Sequence, residues 1–173
     1  VRSINSSSSS GFSTLNGLLF RHKFDLPGRT FSLHAEVSVN ERERSSGLLS
    51  SGPGQSTLAS QRGDNTSGST ELSARLVYTE PVTVSSQLLF EIVSSFNKSN
   101  ADTRTFGYDT VRAVTDRLDS ALSNSYENRY WSQRAGVSYQ LRTSRLRLTG
   151  GLSVNVATLS GDRTFPTPQS TSK

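Results

Sequence analysis

Four aspartates in the second half of the chain are the first residues whose type and spacing suggest chemistry. Asp102, Asp109, Asp116 and Asp119 lie in one charged segment, and carboxylates gathered in a loop can bind a cation. Their spacing does not fit a calcium-binding loop, whose ligands alternate along about twelve residues. Solvated loop charge is therefore the better interpretation, and we predict no metal site.

The other candidates for metal binding, adhesion or catalysis are weaker. The chain has two histidines and no cysteine. His22 and His34 fall on opposite parities of neighbouring predicted strands, so they would not converge on one ion. Arg62-Gly63-Asp64 spells an adhesion tripeptide in a segment expected to be a flexible loop, but such short matches arise by chance. No nucleophile elbow, Walker loop or dinucleotide fingerprint occurs. We therefore predict no enzyme activity and no cofactor.

Five further charged residues share one position relative to the apolar pattern. They are Glu36, Arg75, Glu91, Arg134 and Arg147, and each has the parity opposite to an apolar stripe. Successive side chains of a strand point to opposite faces, so these five are expected on one polar face. They are the candidates for lining an aqueous lumen. The alternative is that they simply face water or a plug.

The stretch from 70 to 97 shows the elements that would position these residues. Leu72, Leu76 and Tyr78 share one parity before the break at Pro81, and Phe90 and its neighbours repeat the pattern after it. Two such runs around a short break predict an antiparallel hairpin. Each run is about ten to thirteen residues, roughly twice the usual strand. A tilted strand needs about nine to eleven residues to cross a bilayer.

The same alternation along the chain predicts an all-β fold. We expect about six long antiparallel up-and-down strands in a curved sheet, forming one partial β-barrel domain over residues 1–173. The strands are predicted near 12–24, 30–43, 69–79, 84–97, 126–141 and 145–158, with short turns near 25–29, 79–83 and 142–145 and long loops at 45–68 and 98–124. The serine run 6–10 is predicted to be mobile, the spacing over 110–122 is compatible with a short helix, and the tail from Leu159 resembles the start of a third long loop.

Aromatic residues lie at both ends of the apolar stripes. Phe24, Phe31, Tyr78 and Tyr139 lie near the short turns, and Phe96 and Trp131 lie near the opposite end. Two aromatic girdles around an aliphatic band, with short turns at one end and long loops at the other, are typical of an outer-membrane barrel.

The bulk composition is compatible with such a wall. The hydrophobic fraction of 32% suits strands that need only one apolar face. The net charge is +5, but the arginines are scattered, so we predict no nucleic-acid partner. The open alternative is a soluble or surface-exposed β-sheet module for binding or adhesion, whose apolar face packs on a second sheet.

Several motifs resemble those of TonB-dependent-receptor-like outer-membrane β-barrel proteins. The resemblance rests on Tyr78-Thr79-Glu80-Pro81, Ser86-Gln87-Leu88-Leu89-Phe90, Leu118 to Asn124, Arg134 to Tyr139 and Ala157 to Asp162. It implies a receptor or transporter of the cell outer membrane, with a barrel of about 22 strands of which this chain is a fragment. The implied partners are outer-membrane lipid, the remaining barrel strands and plug, and TonB through segments outside this chain. Because Met is missing at position 1 and no signal peptide opens the chain, we expect a piece of a longer precursor.

Overall fold

Hydrogen-bonded strands form almost all of the described chain. The computed structural model describes residues 2–51, 59–109 and 114–172. Its strands are β1 (Arg2–Lys23), β2 (Thr30–Ser51), β3 (Ala59–Thr83), β4 (Ser86–Asp109), β5 (Val114–Leu118), β6 (Asn124–Arg142), β7 (Arg147–Phe165) and β8 (Gln169–Ser172).

These strands form one open sheet in up-and-down order. The order is β1-β2-β3-β4-β6-β7-β8, with β5 paired to β4 beyond the start of β6. Every pair is antiparallel. The all-β, antiparallel, up-and-down prediction is therefore confirmed.

The sheet is a single layer over the described residues. No hydrophobic side chain among them is buried, and Phe90, Val137 and Leu148 expose 43%, 38% and 55% of their surface. A soluble sandwich would need a second layer over these side chains, and the described residues form none. None of the described residues belongs to a helix with the length and apolar character to cross a membrane.

The turn between β1 and β2 follows the sequence prediction. Gly28 adopts a positive φ of 91°, a conformation that a residue without Cβ reaches at little cost. The Arg29 amide donates to the carbonyl of Leu26 at 3.0 Å, and the Phe24 amide donates to the carbonyl of Arg29 at 3.2 Å. The Pro27-Gly28 pair thus closes the hairpin as expected.

The predicted break at 79–83 is wrong by a few residues. β3 continues through Pro81 to Thr83, and the turn consists of Val84 and Ser85. The hydroxyls of Thr83 and Ser86 are 2.8 Å apart across this turn. Proline has no amide hydrogen, so it shifts the register locally, between Pro81 and Thr83, without ending the strand.

The predicted long loops at 45–68 and 98–124 are also wrong. β2 continues to Ser51, β3 begins at Ala59, β4 continues to Asp109 and β6 begins at Asn124. Residues 52–58 and 110–113 lie outside the described residues. The serine run 6–10 lies within β1 and pairs with 43–47, and the tail from Leu159 continues β7. Both faces of these extensions carry mainly polar side chains. The sequence therefore shows no apolar alternation there, although the backbone forms strand ladders.

The helix-like spacing over 110–122 does not produce a helix in its described part. Val114–Leu118 is strand β5, which pairs with the outer end of β4. Asp119 then accepts hydrogen bonds from the amides of Ala121 and Leu122 at 2.9 and 3.2 Å. The end of β4 thus pairs with β5, and Asp119 stabilises the turn that follows β5.

Candidate functional site

The register sorts the side chains of the sheet into two faces. Residues directly opposite each other on antiparallel strands lie on the same face. His34 pairs with Arg75, Arg75 with Val93, and Val93 with Arg134. The same register places Glu36, Arg75, Glu91, Arg134 and Arg147 together on one face, which we call the polar face. Whether this face lines a lumen stays a prediction.

The opposite face carries a continuous belt without charge. Six segments form this apolar belt: 12–20 in β1, 31–39 in β2, 70–78 in β3, 88–96 in β4, 131–139 in β6 and 148–156 in β7. In each segment the first residue and every second one after it lie on the apolar face, and none of these side chains is charged. Each segment is nine residues long and spans about 26 Å along its strand at about 3.3 Å per residue, within the roughly nine to eleven residues that a tilted strand needs to cross a bilayer.

The belt crosses the pairing rows diagonally. In β1 the belt ends near the short turn at Phe20, which pairs with Leu33. In β2 the belt continues two residues farther toward the turn, to Phe31. Leu88 pairs with Glu80, and Leu148 pairs with Leu141, so the belt descends by two residues at each of these steps as well. The total descent is about 20 Å along the strands over about 24 Å across them, an angle of about 40°. Strands of a closed barrel tilt by about 35–45° from its axis.

The predicted girdle residues lie at the two ends of the belt. Phe31, Tyr78 and Tyr139 begin or end their segments near the short turns, and Phe96 and Trp131 do so at the opposite end. Phe24 follows the end of β1, and its ring packs edge-on against Tyr78 with centroids 6.3 Å apart. Their role as membrane anchors stays a prediction.

The polar face carries cross-strand hydrogen bonds at the level of the belt. Arg75 Nη2 lies 2.5 Å from Glu91 Oε2. The Gln87 amide donates to Gln140 Oε1 at 3.1 Å, farther toward the short turns. Glu71 also lies on this face, opposite Asn97. Its parity could have identified it as a sixth candidate.

Two adjacent glycines in β7 show how the two faces differ in crowding. A Cβ at Gly151, on the polar face, would lie 2.8 Å from Ser138 Cβ and 2.9 Å from the carbonyl oxygen of Val137. A Cβ at Gly150, on the apolar face, would meet nothing within 4 Å. A side chain at position 151 would therefore be crowded by its cross-strand neighbours, whereas position 150 leaves room for one.

The four aspartates and the tripeptide considered from sequence lie in or directly beside described strands. Asp102 accepts from Arg104 at 2.8 Å, and the described ranges contain no group of three or more His, Cys, Asp or Glu side chains that could hold a metal. The Arg62-Gly63-Asp64 tripeptide lies in β3 and not in a flexible loop, because this segment pairs with both β2 and β4.

One ion cluster that sequence reasoning missed connects the first short turn to β3. Arg29 Nε and Nη2 donate to the two carboxylate oxygens of Glu80 at 2.8 and 2.5 Å, and the Tyr78 hydroxyl donates to Oε2 at 2.6 Å. Arg29 first, then Tyr78, lowers the pKa of the Glu80 carboxyl, which lies beyond the belt. Arg29 and Glu80 are 51 residues apart in sequence, so no local pattern indicates the pair.

A second missed cluster lies just beyond the opposite end of the belt, on the apolar face. Lys98 Nζ lies 3.0 Å from Glu127 Oε2, and Arg129 Nη2 contacts Glu127 Oε1. We call Lys98, Glu127 and Arg129 the rim cluster. The hydrogen bond from Lys98, followed by that from Arg129, lowers the pKa of the Glu127 carboxyl.

Comparisons with known proteins agree with this geometry. No curated protein matches the chain. The model of the Outer membrane protein beta-barrel family matches residues 22–173, from the end of β1 to the end of the chain. This match, which covers most of the chain, shows that the protein belongs to the Outer membrane protein beta-barrel family and is located in the cell outer membrane.

Proposed function

We propose that the chain forms part of the barrel wall of a TonB-dependent-receptor-like receptor or transporter. The observation that carries this proposal is the belt itself: an uncharged face that extends about 26 Å along each strand on a single sheet whose other face is polar. A charge at the bilayer midplane costs about 2–4 kcal/mol for Arg or Lys, so only the apolar face suits hydrocarbon. The barrel size of about 22 strands and the plug belong to the same proposal.

In this arrangement each part of the chain has a distinct task. The polar face, with Glu36, Arg75, Glu91, Arg134 and Arg147, contacts the aqueous lumen or the plug. The short turns face the periplasm, because outer-membrane barrels keep their short connections there. The strand extensions beyond the belt stand outside the cell. The proposal includes no catalytic step and no cofactor.

Site-directed spin labelling tests the assignment of the two faces. The chain has no cysteine, so single cysteines can be introduced at adjacent positions of opposite parity. We expect a label at Leu76→Cys to collide mainly with oxygen, which dissolves in lipid. A label at Val77→Cys should collide mainly with a water-soluble nickel chelate. Val137→Cys and Ser138→Cys provide a second matched pair.

The outcome that contradicts the wall proposal is equal access of both labels in a pair to the nickel chelate after reconstitution in bilayers. Access of Leu76→Cys to neither reagent would indicate a second protein layer over the apolar face. That result would favour a packed sandwich, and it would reject the lipid contact.

Receptor function needs a separate experiment in cells. For a TonB-dependent receptor, removal of TonB should stop uptake of a bound solute but leave its binding at the cell surface intact. Uptake that continues at the same rate without TonB would reject energised transport and retain the barrel wall.

A further inference from the structure

Two positive charges stand side by side at the outer rim of the belt. Lys98 is the first apolar-face residue beyond Phe96 in β4, and Arg129 has the same relation to Trp131 in β6. Lys98 and Arg129 are direct cross-strand partners. Like charges directly opposite each other destabilise a strand pair, so this position needs a compensating anion.

Glu127 compensates only part of this charge. It places one carboxylate oxygen on each cation, which leaves the three groups with one net positive charge. The side chain of Glu127 is only 25% exposed, whereas those of Lys98 and Arg129 are 44% and 52% exposed. An ammonium has three N–H donors and a guanidinium has five, so donors on both cations remain available to a further acceptor.

We propose that Lys98 and Arg129 bind the phosphate of an anionic lipid headgroup in the outer leaflet of the membrane. The inference rests on the proposed function, because it takes the extended strand ends as external. The hydroxyl residues Thr70 and Ser160 flank the two cations in the same pairing row, and each can donate one more hydrogen bond to a phosphate oxygen.

The order of residues along the strands favours a lipid phosphate over a protein partner. Phe96 and Trp131 mark the end of the belt, the two cations follow, and Glu127 lies one step farther out, opposite Asp162. Phosphates lie immediately outside the hydrocarbon, at the level of the cations. The backbone positions of Glu127 and Asp162 lie about 7 Å farther out along the strand. The Glu127 carboxylate reaches back to both cations, and the net positive charge that remains on the three groups attracts the anion.

Trp131 provides the readout for a test, since it is the single tryptophan of the chain and any tryptophan in the remaining barrel strands can be replaced by phenylalanine. The protein is reconstituted in phosphatidylcholine bilayers that contain a minor fraction of lipid with a quencher high on its acyl chain. We expect quenchers on phosphatidic acid to reduce Trp131 fluorescence more than the same quenchers on phosphatidylcholine.

Each cation near an anionic membrane surface contributes about fivefold to binding. The double variant Lys98→Gln/Arg129→Gln should therefore weaken this preference by about fivefold if one cation dominates and by about 30-fold if both contribute fully. The variant Lys98→Arg/Arg129→Lys keeps both charges and should keep the preference. Arg42→Gln/Arg44→Gln is the matched control: it removes the same charge from β2 on the polar face, and it should leave the preference unchanged.

Three outcomes would overturn the site. They are equal quenching by both lipids in the wild-type protein, a preference that survives the Lys98→Gln/Arg129→Gln change, and a preference that inorganic phosphate abolishes, which would indicate a site for the free ion. These differ from failure of the proposed function. In that case quenchers on phosphatidylcholine would not reach Trp131, and the labels at Leu76→Cys and Val77→Cys would also fail to separate.

Discussion

Arginine substitutions at two neighbouring residues of β3, at the centre of the belt, test which face of the sheet contacts lipid. Ala74 is the middle residue of the β3 segment, on the apolar face, and its cross-strand partners are Ala35 and Ser94. Ser73 precedes it on the polar face, where its partners are Glu36 and Ser95. Ala74→Arg and Ser73→Arg therefore add the same side chain one residue apart.

The expected free-energy difference between these variants is large. Arg at the midplane of the lipid-facing surface costs about 2–4 kcal/mol, because the hydrocarbon does not solvate its charge. This corresponds to a change of about 30-fold to about 900-fold in the unfolding equilibrium constant. Ser73→Arg introduces an opposite charge beside Glu36, so we expect a change within about 0.5 kcal/mol, the usual range for such a site.

Denaturant unfolding of the protein in phospholipid vesicles, followed by Trp131 fluorescence, measures both variants. Ala74→Gln serves as the control for side-chain size without charge, and it should cost clearly less than Ala74→Arg. Equal destabilisation by Ala74→Arg and Ser73→Arg would refute the reasoning, since an arginine would then cost the same on both faces of the sheet. A larger loss for Ser73→Arg would reverse the assignment of the faces.

Two further predictions concern the backbone and the turn end of the sheet. Gly151→Ala should destabilise by about 1–3 kcal/mol, the usual cost of overpacking, since the new Cβ would meet Ser138 Cβ at 2.8 Å, whereas Gly150→Ala should be nearly neutral in the same unfolding assay. Glu80→Gln should destabilise at neutral pH because Arg29 loses its carboxylate. The pKa of Glu80 is lowered in the folded state, so its contribution is complete above the ordinary pKa of a glutamate and is lost as the pH falls through the folded-state value. The difference between wild type and Glu80→Gln should therefore shrink in acid, and a difference independent of pH would contradict this.

The belt could be predicted from sequence because one of its faces is apolar and the other is not. Apolar side chains such as Leu72, Leu76 and Tyr78 recur at every second position, because one face of the strand requires them and the other does not. That parity then assigns charged residues such as Arg75 and Glu91 to the polar face, as the register shows. The angle of the belt across the rows could not be predicted, because it depends on which residues pair between strands.

The strand extensions beyond the belt could not be predicted, because neither of their faces is apolar. Beyond the belt, residues such as Ser45 and Asp64 pair directly, with a hydrogen bond of 2.9 Å between their side chains. Their composition is that of a loop, and only the backbone ladder makes them strand. The rim cluster lies at this boundary, where Lys98 and Glu127 join strands that are close in space but distant in sequence.

The edges of the sheet add a requirement that the belt alone does not reveal. Among the described residues, β1 pairs only with β2, and β8 pairs with β7 only at Ser160–Arg163, outside the belt. The belt segments of β1 and β7 therefore each have one row of backbone groups without a strand partner in the described chain. In hydrocarbon an unpaired backbone group costs several kcal/mol, more than the burial of most apolar side chains contributes. The apolar face can thus contact lipid only when further strands, from the same protein or from another copy, pair with both edges.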